Sequence, residues 1–141
     1  MSSLLGISEA ASIGWHAMII LAASGDELCS TAEIAERLQV SGAHLSKVLQ
    51  RLTRAGLVEA VRGPHGGFSL GKPAKDMTVL EIYEAIEGEL EAKACLLSDK
   101  PLCPNGRCLL GGLHQSLHRQ IKEHFQKTKL ADLAGVFGEP S

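Results

Sequence analysis

The segment Arg62-Gly63-Pro64-His65-Gly66-Gly67 limits the possible folds of this chain more than any other. Three glycines and a proline so closely spaced break any helix and favour a tight loop. The residues on either side, Leu57–Arg62 (LVEAVR) and Phe68–Leu70 (FSL), alternate well enough to be two short strands. A glycine-tipped β-hairpin is therefore expected in the middle of the chain, and everything around it reads as helix.

Upstream, Ile13, Ala17, Ile20 and Leu21 recur at helical spacing, predicting a helix from about Ser8 to the stop at Ser24-Gly25-Asp26. Ser30-Thr31-Ala32-Glu33 is a capping box that opens a second helix with Ile34, Ala35 and Leu38 inward. After the short break Gln39–Gly42, a third helix turns Leu45, Val48, Leu49 and Leu52 inward. Its outer face carries His44, Lys47, Gln50, Arg51 and Arg54, and Gly56 closes it. Downstream of the hairpin, Thr78-Val79-Leu80-Glu81 is a second capping box. It starts a helix with Val79, Ile82, Tyr83 and Ile86 inward and Gly88 at its end. An irregular stretch, Glu89–Arg107, precedes a long last helix that begins near Cys108. Along that helix Leu110, Leu113, Leu117, Ile121 and His124 form a stripe suited to a core or to a dimer seam.

With 141 residues, no internal repeat and no linker long enough to divide two independent domains, one ordinary domain is expected, mainly α with a small β-hairpin wing. Residues 1–88 would form a winged helix-turn-helix, 89–108 a cysteine-containing loop, and 109–141 a dimerisation helix and tail. The first residues lack a basic segment followed by a signal-type apolar stretch. The most apolar window, Ala17–Ala23, is too short to span a bilayer, so a cytoplasmic location is expected.

Helix, short turn, helix and hairpin, in that order, suit the reading of a DNA duplex. The second helix must pack on one side and offer polar and basic side chains to the major groove on the other. Ser41 would cap that helix near the groove, His44 and Ser46 reach base edges, and Lys47 and Arg51 reach phosphate or guanine. At the hairpin tip Arg62 and His65 sit among glycines that let backbone approach phosphate, and an arginine there suits a narrow minor groove. Charge agrees. Thr31–Lys75 holds seven basic residues against three acids, whereas Asp76–Asp99 holds seven acids against one lysine, although the whole chain is only −2. A helical bundle with an ordinary solvated Lys-Arg face is the competing account.

The four cysteines are Cys29, Cys95, Cys103 and Cys108. In a reducing compartment, clustering points to metal or redox chemistry rather than to disulfides. Cys95, Cys103 and Cys108 fall among Pro101, Pro104 and Gly106, which let backbone bend around a centre. Thiolates are soft ligands suited to iron–sulfur clusters or to zinc. The alternative is that they pack as small apolar residues, and Cys29, alone, reads as core filler.

The run TAEIAERLQVSGAHLSKVLQRLTRAGLVEAVRGPHGGFSL followed by MTVLEIYEAIEG resembles the IscR/NsrR/RirA-type family of winged-helix transcription regulators. The resemblance extends from about Ile7 to Leu133, including the final KLADL. It implies a homodimer crossed through the last helix, control of transcription at a palindromic operator in double-stranded DNA, and Arg62 in the minor groove. His65 departs from the glycine common at that place. The resemblance also implies an iron–sulfur cluster held by Cys95, Cys103 and Cys108 with one non-cysteine ligand, its two-iron or four-iron type left open. In some members a histidine follows the third cysteine by three positions, which here is Gly111. In others an acid or histidine comes from the first helix of the partner subunit. The usual acid position corresponds to Ser12, with Glu9 nearby and His16 one turn on. His16 is the first candidate, Glu9 the second, and His114 the intrachain alternative.

The functional expectation is a non-enzymatic regulator whose operator affinity is set by a cluster sensing iron, redox state or nitric oxide. A zinc-stabilised or metal-free winged-helix repressor is the alternative. A thiol redox enzyme has little support, since there is no C-x-x-C and no nucleophile–base pair. No membrane and no small-molecule substrate are expected.

Overall fold

The computed structural model describes residues 7–90 and 112–135. Helix α1 (Glu9–Ala23) is capped by Ser8, whose hydroxyl accepts from the Ala11 amide at 3.0 Å. It is apolar on nearly every side, with Ala11, Ile13, Gly14 and Ala17–Leu21 buried, as befits a helix at the centre of a domain. Helix α2 (Thr31–Leu38) begins on Ser30, which accepts from the Glu33 amide at 3.1 Å, the serine half of the expected box. It ends on Gln39 in the left-handed conformation, φ 55°. Helix α3 (Gly42–Arg54) follows at once. Gly42, expected in the break, is its first residue, because Ser41 supplies the cap at 3.0 Å from the His44 amide. Its buried residues are Leu45, Val48, Leu49 and Leu52, the expected set.

Strands β1 (Val58–Val61) and β2 (Gly67–Leu70) pair antiparallel, with Val58 opposite Leu70 and Val61 opposite Gly67. At the tip a side chain on Gly66 would meet the Val61 carbonyl oxygen at 2.0 Å, so only glycine fits there. Cys29 is buried as expected, with its sulfur 3.1 Å from Ser24 Oγ. It has a second role that its side chain does not announce. Its backbone pairs with Phe68 in both directions, at 3.0 and 2.8 Å, tying the hairpin to the α1–α2 connection.

A 3₁₀ turn (Ala74–Asp76) leads into α4 (Val79–Glu87), capped by Thr78 at 3.0 Å from the Glu81 amide and stopped at Gly88, φ 86°. Helix α5 (Leu113–Lys127) and the short α6 (Leu130–Leu133) complete the described residues. Around the Thr78–Lys129 bridge the Val79 amide donates to Thr128 and the Leu130 amide to Met77, which seats the fully buried Leu130. Trp15, Tyr83 and Phe125 form a ring triangle with centroids 5.1–6.1 Å apart, joining α1, α4 and α5. Trp15 Nε1 also donates to the Val79 carbonyl at 3.0 Å. Burial, and secondarily the Glu87 charge, raises the Tyr83 phenol above its ordinary 10.0.

The leucine stripe of the last helix is not core within one chain. The inward stripe is His114, Ile121 and Phe125, while Leu113 is 55% and Leu117 39% exposed. Leu110 lies outside the described residues. Among the described residues no helix is long and apolar enough to cross a membrane.

Candidate nucleic-acid interface

The reading surface is built from the outside of α3 and the tip of the β1–β2 hairpin. Burying Leu45, Val48, Leu49 and Leu52 turns the opposite side of α3 to solvent. Lys47, Gln50, Arg51 and Arg54 are exposed there, and His44 and Ser46 are half-buried. No acid occurs anywhere in α3. With 13 residues it is about 20 Å long, and an α-helix fits the width of a major groove. Ser41 uses its oxygen lone pair on the His44 amide, which leaves its O–H to donate outward. The hairpin leaves α3 through the buried Leu57 and Val58, then rises to Val61, Arg62, Gly63, Pro64 and His65, all exposed. Among the described residues the Lys72–Glu81 pair, 2.8 Å, is the salt bridge, so Lys47, Arg54 and Arg62 keep their charges for other partners.

Arg51 differs from its neighbours. Its Nη1 donates to the Ile86 carbonyl at 2.6 Å, binding α3 to the end of α4. An exposed arginine on a polar helix face gives no hint of this in the sequence.

The metal expectations divide into two groups. Cys95, Cys103 and Cys108 lie outside the described residues. Glu9, Ser12 and His16 share one stripe of α1 and line a cleft of about 240 Å³ with Ile13, Leu38 and Val40. The sequence placed the first three together by helical spacing. That the α2–α3 turn forms the opposite wall was not visible in it. His16 Nδ1 lies 2.6 Å from the Ser12 carbonyl, which can only accept, so Nδ1 carries a proton. A backbone carbonyl holding one ring nitrogen is how metal-binding imidazoles are commonly oriented. His114 is buried at the start of α5. Among the described residues there is no group of three or more His, Cys, Asp or Glu able to hold a metal ion.

A three-helix core with a helix-turn-helix and a two-stranded wing, extended by a helix docked through aromatic rings, defines a winged-helix DNA-binding regulator. Residues 7–135 match the Rrf2 family, described as iron-dependent transcriptional regulators, and the chain belongs to that family. It is 45% identical over 112 residues to the HTH-type transcriptional regulator IscR of Cereibacter sphaeroides, covering 78% of this chain and 72% of that one. A putative HTH-type transcriptional regulator of Aquifex aeolicus is 30% identical over 122 residues, 85% of each chain. Among solved structures, CymR, the global cysteine regulator of B. subtilis, superposes with a TM-score of 0.75 at 29% identity, covering 92% of this chain and 96% of that one. IscR of T. potens gives 0.71 at 28%, covering 90% and 84%. These relatives are regulators and not enzymes.

Proposed function

We propose that this chain is a homodimeric transcription regulator whose affinity for a palindromic operator is set by an iron–sulfur cluster. The observation that carries the DNA half is the acid-free outer face of α3 beside a glycine-built wing whose Arg62 has no ion-pair partner among the described residues. Ser41, His44, Ser46 and Lys47 face the major groove, while Arg62 and His65 serve the minor groove and its phosphates. Leu113 and Leu117, exposed on α5, form the seam with the second copy, since large apolar residues at helical spacing favour burial against a partner.

The cluster half is supported by the family description, by the IscR relatives and by three cysteines within fourteen residues. Cys95, Cys103 and Cys108 would hold the cluster and His16 of the partner subunit would complete it, with Glu9, Ser12 and His114 as alternatives. Bound there, the cluster supplies a reversible change of charge and ligation. The cleft that holds His16 shares a wall with the α2–α3 turn, so an altered load on α1 reaches the reading helix through Leu38 and Val40.

The test is a visible spectrum with iron and sulfide analysis of protein purified without oxygen, beside Cys103→Ala. The expected result is broad absorbance near about 400 nm, from thiolate-to-iron charge transfer, that disappears in the variant. A colourless protein with stoichiometric zinc, or with no metal, overturns the cluster and leaves the DNA reading.

A further inference from the structure

The last turn of α4 is tied to its surroundings more heavily than its length requires. The Glu84 carboxylate accepts the Leu90 amide at 3.0 Å, which folds the departing chain back on the helix. Glu87 accepts the hydroxyl of Ser8, the residue that caps α1. Between them lies Ile86, buried, its Cδ1 only 2.1 Å from where a Gly14 side chain would begin and its neighbour Val48 at 3.5 Å from the same point. Gly14 is thus the gap in α1 that receives the end of α4, and Val48 of α3 closes it.

The Ile86 carbonyl is one of the acceptors that a helix C-terminus leaves without an intrahelical partner. The last turn of α4 has no basic residue of its own to satisfy it. Arg51, from α3, does so at 2.6 Å and places a cation at the negative end of the α4 dipole. We infer that Arg51 is a positioning residue, a strut that fixes the reading helix to the end of α4, rather than a contact to DNA phosphate. A shift of the chain leaving α4 at Leu90 is then felt along α3 through one charged hydrogen bond and the Ile86–Val48 contact. This rests on the DNA-binding reading and not on the cluster.

The experiment uses the full chain, all variants in one metal state, and a fluorescein-labelled palindromic duplex selected by the wild type from a random pool. Dissociation constants are measured by anisotropy from about 50 to about 200 mM salt. Lys47→Met, removing a phosphate contact, should flatten the log–log salt slope by about 0.9 per protomer. Arg51→Met should weaken binding roughly tenfold at every salt while leaving the slope at its wild-type value. Leu90→Ala should weaken the wild type at least threefold and add nothing in the Arg51→Met background, a non-additivity expected of coupled sites. A slope that flattens for Arg51→Met as it does for Lys47→Met overturns the strut. So does wild-type affinity in Arg51→Met, or simple multiplication of the two losses. Arg51→Gln gives the same comparison if Arg51→Met does not fold. A wild type that binds no duplex overturns the functional reading itself, before any variant is compared.

Discussion

Replacing Leu49 by alanine is expected to destabilise the folded chain by about 2–5 kcal/mol, a large part of the roughly 5–15 kcal/mol that holds a domain together. Leu49 is completely buried, in the core cluster with Ile13, Ala17, Leu45 and Leu52, so its loss leaves a void that the surrounding helices cannot all close. The neighbouring Gln50, exposed on the opposite side of α3, gives the control: Gln50→Ala should change stability by no more than about 0.5 kcal/mol. Urea unfolding followed by the fluorescence of Trp15, the single tryptophan, reads both at one fixed protein concentration. A cost below about 1 kcal/mol for Leu49→Ala would mean that α3 is not packed as described.

Arg62→Ala acts on binding and not on folding. The side chain is exposed at the rim of the wing with no ion-pair partner among the described residues, so its removal leaves no buried group unsatisfied. Operator affinity should fall by about 10- to 100-fold, the range expected for loss of one well-placed arginine contact. The unfolding transition should stay where it was. Anisotropy titration against the selected duplex measures the first and the urea curve the second. Binding within twofold of wild type would remove the wing from the interface.

Much of the DNA-reading half was legible in the sequence, because its signals are local. Glycines at 63, 66 and 67 mark the hairpin, Ser30 and Thr78 mark helix starts three residues before a glutamate, and the leucines of α3 repeat at helical spacing. What escaped is what depends on distant backbone. The Cys29–Phe68 and Thr78–Lys129 bridges are made by main-chain groups, which every residue carries, so no side chain advertises them. The bond from Arg51 to Ile86 escaped for a related reason: a helix C-terminus accepts from any donor that tertiary packing brings near. On α5 the leucine repeat was visible, but Phe125, drawn inward by Trp15 and Tyr83, sets the rotation of the helix and turns Leu113 and Leu117 outward. Of the candidate metal ligands, Glu9, Ser12 and His16 share a helical stripe that spacing alone predicts, whereas the wall supplied by Leu38 and Val40 belongs to tertiary packing.

The most direct test of the whole account is the operator affinity of one preparation measured twice, first as purified without oxygen and then after chelation and mild oxidation have stripped its iron. The selected duplex, salt and protein concentration are held fixed, and Cys103→Ala is carried through the same treatment. A cluster that controls the α3 helices predicts at least about a tenfold change between the two states, the size of an ordinary allosteric coupling, and no change in the variant. Equal affinity before and after stripping, in a protein shown to have lost its iron, would contradict control by the cluster.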